Sequence, residues 1–321
     1  MKNITLGRTN EQVSIISLGA WSFGKGNISG GSDVGWSNQS DKDSKSALLK
    51  AFSSGINHWD TADVYGEGHS EKIIGSMWNE ISRDNIFLAS KVGWDMGPHN
   101  HWYHPKYMKI KMEKSIKNLK TDYVDLMYLH HCNFGKNNEY LDDAAEMLYR
   151  FKEEGKTRFI GLSDWSSKRI LKYIEKIDPD VVQPLYNVHD TEYVDSGLKQ
   201  YVKSNNIGAC YFSPIKHGIL TGKYETTVEF PEGDFRRNVK EFKNINFINK
   251  MKENKKKIEV RFSNTTSDPI LHALLGAILY DNPTACVLLG QRNERQASVA
   301  GGLGQILNEK DADWVLSLYK D

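Results

Sequence analysis

Short apolar runs alternate with longer stretches whose apolar residues recur every three or four positions, from near the start of the chain almost to its end. The short runs are Ile15–Leu18, Ile56–Trp59, Ile86–Ala89, Tyr123–Leu129, Thr157–Leu162, Val181–Gln183, Ile207–Phe212 and Cys286–Leu289. Several lack period-two alternation, the mark of a strand covered on both faces in a parallel sheet. Between them, Ser44–Ser53 puts Ala47, Leu48, Ala51 and Phe52 on one helical face and stops at Gly55. Glu71–Ile81 does the same with Ile73, Ile74, Met77, Trp78 and Ile81, and Tyr107–Leu119, Tyr140–Phe151, Lys168–Ile177 and Asp195–Ser204 are predicted as further helices. Strand alternating with helix gives right-handed βαβ units. Eight strands in 321 residues predict an α/β chain forming one (β/α)8 TIM barrel domain over residues 1–321. An open doubly wound sheet, which normally carries a Gly-rich turn after its first strand, is the alternative.

Three stretches fall outside this rhythm. Thr5–Ser14, centred on Gly7 and Arg8, is predicted as an N-terminal β-hairpin closing the bottom of the barrel. Gly24–Asn38 is rich in Gly, Ser and Asn and reads as a loop. Lys223–Asp268 is too long for a simple connection, so a long functional loop after the seventh strand and an added helix toward the C-terminus are expected. Its lysines (Lys250, Lys252, Lys255, Lys256 and Lys257) read as a solvated helix face in preference to a nucleic-acid surface.

The net charge of +1 excludes a long-range field that would gather nucleic acid or anionic membrane. Cys132, Cys210 and Cys286 are widely spaced, with no C-x-x-C, so neither a zinc ribbon nor a disulfide framework is expected. The first residues lack the basic-then-apolar run of a signal peptide, and no apolar stretch approaches the roughly 20 residues that span a bilayer. The cytoplasm is the expected location. Oligomeric state is not legible.

In a parallel barrel, chemistry belongs at the C-terminal ends of the strands. The second strand runs into Asp60 and Tyr65, the third into Lys91, the fourth into His130 and His131. A phenol near pKa ~10 works poorly at neutral pH unless its surroundings change. A neighbouring ammonium lowers that pKa, and a buried carboxylate keeps the ammonium charged. Asp60, Lys91 and Tyr65 form such a chain, with Tyr65 giving a proton to an oxygen becoming an alkoxide and His130 polarising the same oxygen. Taken singly, each also has a structural reading: Asp60 a turn cap, Tyr65 a packed loop aromatic, Lys91 a solvated cation, His130 a core histidine. Four such groups at three consecutive strand ends favour the chemical one.

The segment Gly55-Ile-Asn-His-Trp-Asp60-Thr-Ala-Asp-Val-Tyr65-Gly-Glu-Gly-His-Ser70-Glu71 closely resembles the signature of the aldo-keto reductase superfamily. Lys91 after Ala89-Ser90, and His130 ending Asp125-Leu-Met-Tyr-Leu-His, resemble the family's third and fourth catalytic positions. The resemblance implies catalytic Asp60, Tyr65, Lys91 and His130 and an extended NADPH, NADH being less expected, bound without a Rossmann fold. Gly161-Leu-Ser163-Asp164-Trp165 resembles the family's Gly-Val-Ser-Asn-Phe, with Asp164 in place of Asn. Gln183 matches the glutamine completing that nicotinamide amide site, and Phe212-Ser213-Pro214-Ile215 resembles Tyr-Ser-Pro-Leu, whose ring stacks on the nicotinamide. Gly19, Ala20 and Trp21 after the first strand are further cofactor candidates. Gly218, Leu220 and Lys223 fall in a segment similar to the loop over the pyrophosphate, and Arg236 in one resembling a loop of some family branches. Gly290-Gln291-Arg292 and Gln296 resemble the family's Gly-Ala-Arg-x-x-x-Gln, which implies that Arg292 grips the 2′-phosphate of NADPH; Ala300 stands where the family usually has Asn.

His99, His101 and His104 invite a metal reading, but Pro98 and Pro105 bracket them in a loop with no partnering carboxylate, and no metal site is expected. A pocket lined by Trp21, Trp36, Trp94, His99, Trp102, Tyr103 and His130 suits a small carbonyl compound, flat or sugar-like. Two rival functions stay open: an NADPH-binding regulatory or sensor subunit with slow turnover, and a cofactor-free lyase or isomerase using Lys91 as a Schiff base.

Overall fold

The computed structural model describes residues 1–29, 31–264 and 268–320. The eight short apolar runs become eight strands: β1 Ile16–Gly19, β2 His58–Asp60, β3 Phe87–Val92, β4 Val124–Leu129, β5 Thr157–Asp164, β6 Val181–Pro184, β7 Gly208–Tyr211 and β8 Ala285–Gly290. They close in chain order into a barrel in which every neighbouring pair is parallel, β8 returning to β1. The open-sheet alternative is thereby excluded. Nearly every strand residue is buried, because helices cover the outer face and side chains fill the inner one. Register then decides what meets at the top: Gly19 lies opposite Asp60, and Lys91 opposite Tyr128.

Helices Asp41–Ser53, Pro105–Leu119, Leu141–Glu153 and Ser167–Ile177 fall where apolar periodicity predicts them. Two predicted helices come out differently. The one expected over Glu71–Ile81 runs from His69 only to Gly75. Beyond it, Trp78 stacks on Trp59 at 6.1 Å and donates its indole N–H to the Leu119 carbonyl at 2.6 Å, so tertiary packing overrides helical spacing. Asp195–Ser204 is split by Gly197, whose φ of 85° starts a separate helix Leu198–Ser204. Helix Pro269–Ile278 escapes amphipathic detection because all of Ile270 to Ile278 except Leu271 is buried, leaving no polar face.

The N-terminal hairpin pairs Asn3–Thr5 with Gln12–Ser14. A Cβ on Gly7 would lie 2.2 Å from the Gly208 nitrogen, so only glycine lets this turn seat against the entry of β7. The long insertion after β7 holds helix Ile245–Arg261, which buries Ile248, Met251 and Ile258 and exposes Lys256 and Lys257. A final helix, Glu309–Tyr319, packs against Pro269–Ile278. The Gly24–Asn38 stretch contains a two-residue hairpin, Ile28–Ser29 with Ser32–Asp33. Among the described residues, no helix is long and apolar enough to cross a membrane.

Candidate active site

The second strand ends in Asp60, 1% exposed, beside the equally buried Lys91 of β3. The Lys91 ammonium donates to Asp60 Oδ1, to the Thr61 carbonyl at 2.7 Å and to the Tyr65 hydroxyl at 3.3 Å. Asp60 Oδ2 accepts from the Gln183 amide at 2.8 Å, so both carboxylate oxygens are occupied. Burial alone would lower the Lys91 pKa; Asp60 and Tyr65 outweigh it and hold the ammonium above its ordinary value.

Tyr65 rides on a turn that the rest of the signature braces. Ser70 donates to the Ala20 carbonyl at 2.8 Å and accepts from Thr61, while buried Glu71 accepts from Ser90 and Asn118. Gly66 (φ 60°) abuts Gly24 so closely that a Cβ would sit 2.3 Å from the Gly24 carbonyl oxygen. These contacts fix the phenol against Lys91.

The expected lowering of the Tyr65 pKa is not what the structure shows. Burial pushes the phenol above its ordinary 10.0; Lys91 pulls it down, but Asp60 opposes that pull, and burial prevails. The lysine charge is largely spent on its carboxylate partner. Tyr65 therefore stays protonated at neutral pH, the form needed to donate. His130 is held well below its ordinary value by burial, then by His131 and Lys91, so it is a neutral imidazole. Its ring lies edge-on to Tyr65 at 5.8 Å, and its Nδ1 is buried without a partner among the described residues.

These groups open onto a groove of about 1290 Å³, the solvent at its open mouth included. Gly19, Trp21 and Trp36 line one side of it, and Ser163, Asp164 and Gln183 line another. The strand-7 side carries Phe212, Ser213, Pro214, Ile215, Gly218, Lys223 and Arg236, and the strand-8 side Gly290, Arg292 and Gln296. Trp94 and His130 stand at the tetrad end. Asp164, where the resemblance would put an Asn, accepts through its carboxylate from the backbone N–H of Cys132 at 2.7 Å and of Ser166 at 2.8 Å.

Seven sequence-predicted residues lie off the groove wall, Lys91 among them, buried beside Asp60. Ala20, Leu220 and Gln291 are buried behind it; the Leu220 carbonyl accepts from Tyr319, and the Gln291 amide reaches the Ser17 carbonyl. His99, Trp102 and Tyr103 are corrected as pocket residues. Tyr103 is fully buried, its hydroxyl bonded to both the carbonyl and the N–H of His131, so it braces the loop from behind. Trp102 packs on Tyr103 and His101, and His99 stacks on His104 at 4.5 Å and on Tyr107. Conversely, Ser22, Val34, Val64, His131, Trp165, His217 and Leu288 line the groove without having been singled out. Position beside His130 and Ser163-Asp164 was an available signal for His131 and Trp165. His217 had none: it enters through a left-handed turn of Lys216 (φ 45°), His217 (φ 58°) and Gly218 (φ 92°).

On the β7–β8 side, Lys223, Arg236 and Arg292 face one another. Burial first and the neighbouring arginines next lower the Lys223 pKa, and burial followed by Arg236 lowers that of Arg292. Arg236 is bound bidentately by Asp234 at 2.9 and 2.7 Å. Arg292 donates to Gln39 Oε1 and to the carbonyls of Ser37 and Asn38, with no carboxylate in contact among the described residues. Such a cluster can receive an anion.

Residues 15–298 match the sequence model of the Aldo/keto reductase family, far more than half of the chain. The chain belongs to the aldo/keto reductase family. Among curated relatives of this family, it is 30% identical over 231 residues to L-glyceraldehyde 3-phosphate reductase of Escherichia coli K12, an alignment covering 68% of this chain and 62% of that one. It is 29% identical over 319 residues to the aldo-keto reductase YhdN of Bacillus subtilis, covering 97% and 91%. The chain thus spans about three-fifths of the E. coli relative's length and nearly all of the B. subtilis one. A glycerol dehydrogenase from Gluconobacter oxydans superposes with a TM-score of 0.79 at 24% identity, over 98% of this chain and 94% of that one, a likeness of fold.

Proposed function

We propose that the protein is an NADPH-dependent reductase that converts an aldehyde or ketone to its alcohol, with Tyr65 as the proton donor. One observation carries this reading: the Tyr65 phenol on the groove wall, its hydroxyl 3.3 Å from an ammonium that a buried carboxylate clamps. The groove also fits a nicotinamide dinucleotide in its chemistry. Ser22 Oγ, Trp36 Nε1, His130 Nδ1 and Ser213 Oγ are buried there without partners among the described residues, and three cations stand at its β7–β8 side. Ser163, Asp164 and Gln183 would hold the nicotinamide amide, Phe212 its ring face, Gly218 and Lys223 the pyrophosphate, and Arg292, Gln296 and Arg236 the 2′-phosphate end. When bound, the nicotinamide supplies the hydride that reaches the carbonyl carbon.

The protein's own part is at the oxygen. The Tyr65 hydroxyl gives its proton to the developing alkoxide, and Lys91 steadies the phenolate left behind. Neutral His130 holds the oxygen in line without competing for the proton. Asp60 keeps Lys91 charged, and Gln183 keeps Asp60 oriented. The enzyme works in the cytoplasm, where its three buried thiols stay reduced.

The substrate end favours a neutral, hydroxylated carbonyl compound. Trp21, Trp94 and Trp165 supply aromatic walls, and His130 and His131 are neutral, the latter pushed down to about 4 by burial. Lys91 is committed to Asp60. The E. coli relative is named for a phosphorylated aldehyde; the cations able to receive a phosphate here are those the cofactor takes. NADPH oxidation with glyceraldehyde, ketoses, their phosphates and apolar ketones tests this. Turnover is expected with the neutral hydroxylated compounds and weaker turnover with the phosphates. Activity confined to apolar ketones would overturn the substrate class, and tight NADPH binding without turnover would make the protein a sensor.

A further inference from the structure

One layer beneath Asp60, the barrel interior holds a cluster the reductase chemistry does not use. His58 of β2, Cys210 of β7 and Cys286 of β8 place their potential ligand atoms all within 4.8 Å of one another. Each is 0% exposed. Cys210 and Cys286 are register partners on adjacent strands, which turns both thiols to the same side of the sheet. His58 Nδ1 lies 3.6 Å from Cys286 Sγ and 2.8 Å from Ser17 Oγ of β1, and His58 Nε2 is buried with no partner among the described residues. Four adjacent strands thus aim two sulfurs, an imidazole and a hydroxyl at one point.

We propose that Cys210, Cys286 and His58, completed by the Ser17 hydroxyl, form a closed zinc(II) site in the barrel core. The dimensions suit the ion: bonds of about 2.3 Å to sulfur and about 2.05 Å to nitrogen, set tetrahedrally, require a sulfur–nitrogen edge of roughly 3.6 Å. The Cys286–His58 separation is 3.6 Å before any metal enters. Charge balances as well. Zinc(II) displaces one proton from each thiol, two thiolates cancel its two charges, and no net charge is left in the core. The donors are soft, which selects zinc over magnesium or calcium. No coordination position opens on the groove, so the ion acts as a strut tying β1, β2, β7 and β8 beneath the tetrad, with no part in catalysis. Because all the donors are sealed from solvent, zinc has to enter as the chain folds.

Metal content decides the matter independently of the reductase reading. The full chain is unfolded, refolded with zinc sulfate under reducing conditions, freed of loose metal with a chelator, and analysed by plasma mass spectrometry. About one zinc per chain is expected in the wild type and in Cys132→Ser, and less than about a tenth in Cys210→Ser and Cys286→Ser. Refolding the wild type with cobalt(II) is expected to give a near-ultraviolet thiolate-to-metal band, a readout that stands even if the cysteine variants fail to fold. A wild type that holds less than about a tenth of a zinc and shows no such cobalt band would overturn the site, as would folded Cys210→Ser and Cys286→Ser chains retaining full zinc.

Discussion

The two ends of the groove treat charge in opposite ways. At the β2–β4 end Lys91 is matched by Asp60, both are buried, and Gln183 and Thr61 take up the remaining hydrogen bonds. At the β7–β8 end Lys223, Arg236 and Arg292 stand together, with Asp234 holding one of them and carbonyl oxygens facing Arg292. On the proposed function, the first end houses a proton donor, whose environment must not shift when an oxyanion develops. The second end holds the cofactor's phosphates, for which surplus positive charge is left uncompensated. The contrast predicts that substitutions at one end change the rate of the chemical step and those at the other change affinity.

The largest break is Lys91→Met. It strands the buried Asp60 carboxylate and should cost about 3–5 kcal/mol of stability, read from denaturant midpoints, along with reductase activity. Next is Arg292→Ala, which should weaken NADPH by about 10- to 100-fold, the worth of a charge-assisted hydrogen bond, and leave NADH within about threefold. Equal losses for both cofactors, measured by fluorescence titration, would erase the distinction between the ends. Smaller still, Ser70→Ala removes the donor to the Ala20 carbonyl and the acceptor of Thr61, and should lower stability by about 1–2 kcal/mol. The gentlest test is pH. His130 lies well below 6.5, so it loses its proton before neutrality is reached, and Tyr65 lies above 10.0, so it keeps its proton until strongly alkaline pH. The kcat/KM for reduction should therefore be flat from about pH 7 to 9. An inflection near the ordinary histidine value would show that His130 acts charged.

The barrel and the meeting of Asp60, Tyr65, Lys91 and His130 were legible for related reasons. Strands covered on both faces carry unbroken apolar runs, and Asp60, Tyr65, Ser70 and Glu71 fall within a dozen consecutive residues whose mutual bracing is local. What was not legible depends on how loops return and on what burial does to charge. Tyr103 and Trp94 belong to one loop, and nothing in its composition says that Tyr103 turns inward to hold His131 while Trp94 faces the groove. The direction of the Tyr65 shift rests on a balance between burial and an already neutralised lysine, which spacing does not encode. Cys286 and His58 are 228 positions apart and meet through barrel closure.

The most direct test of the account is a single turnover of Tyr65→Phe against the wild type, with NADPH saturating and its affinity measured alongside. The expected result is a chemical step slower by about 10²- to 10⁴-fold with NADPH affinity unchanged within about twofold. A variant that transfers hydride at the wild-type rate, or that loses NADPH along with its rate, would contradict the assignment of Tyr65 as proton donor and the separation of the two ends.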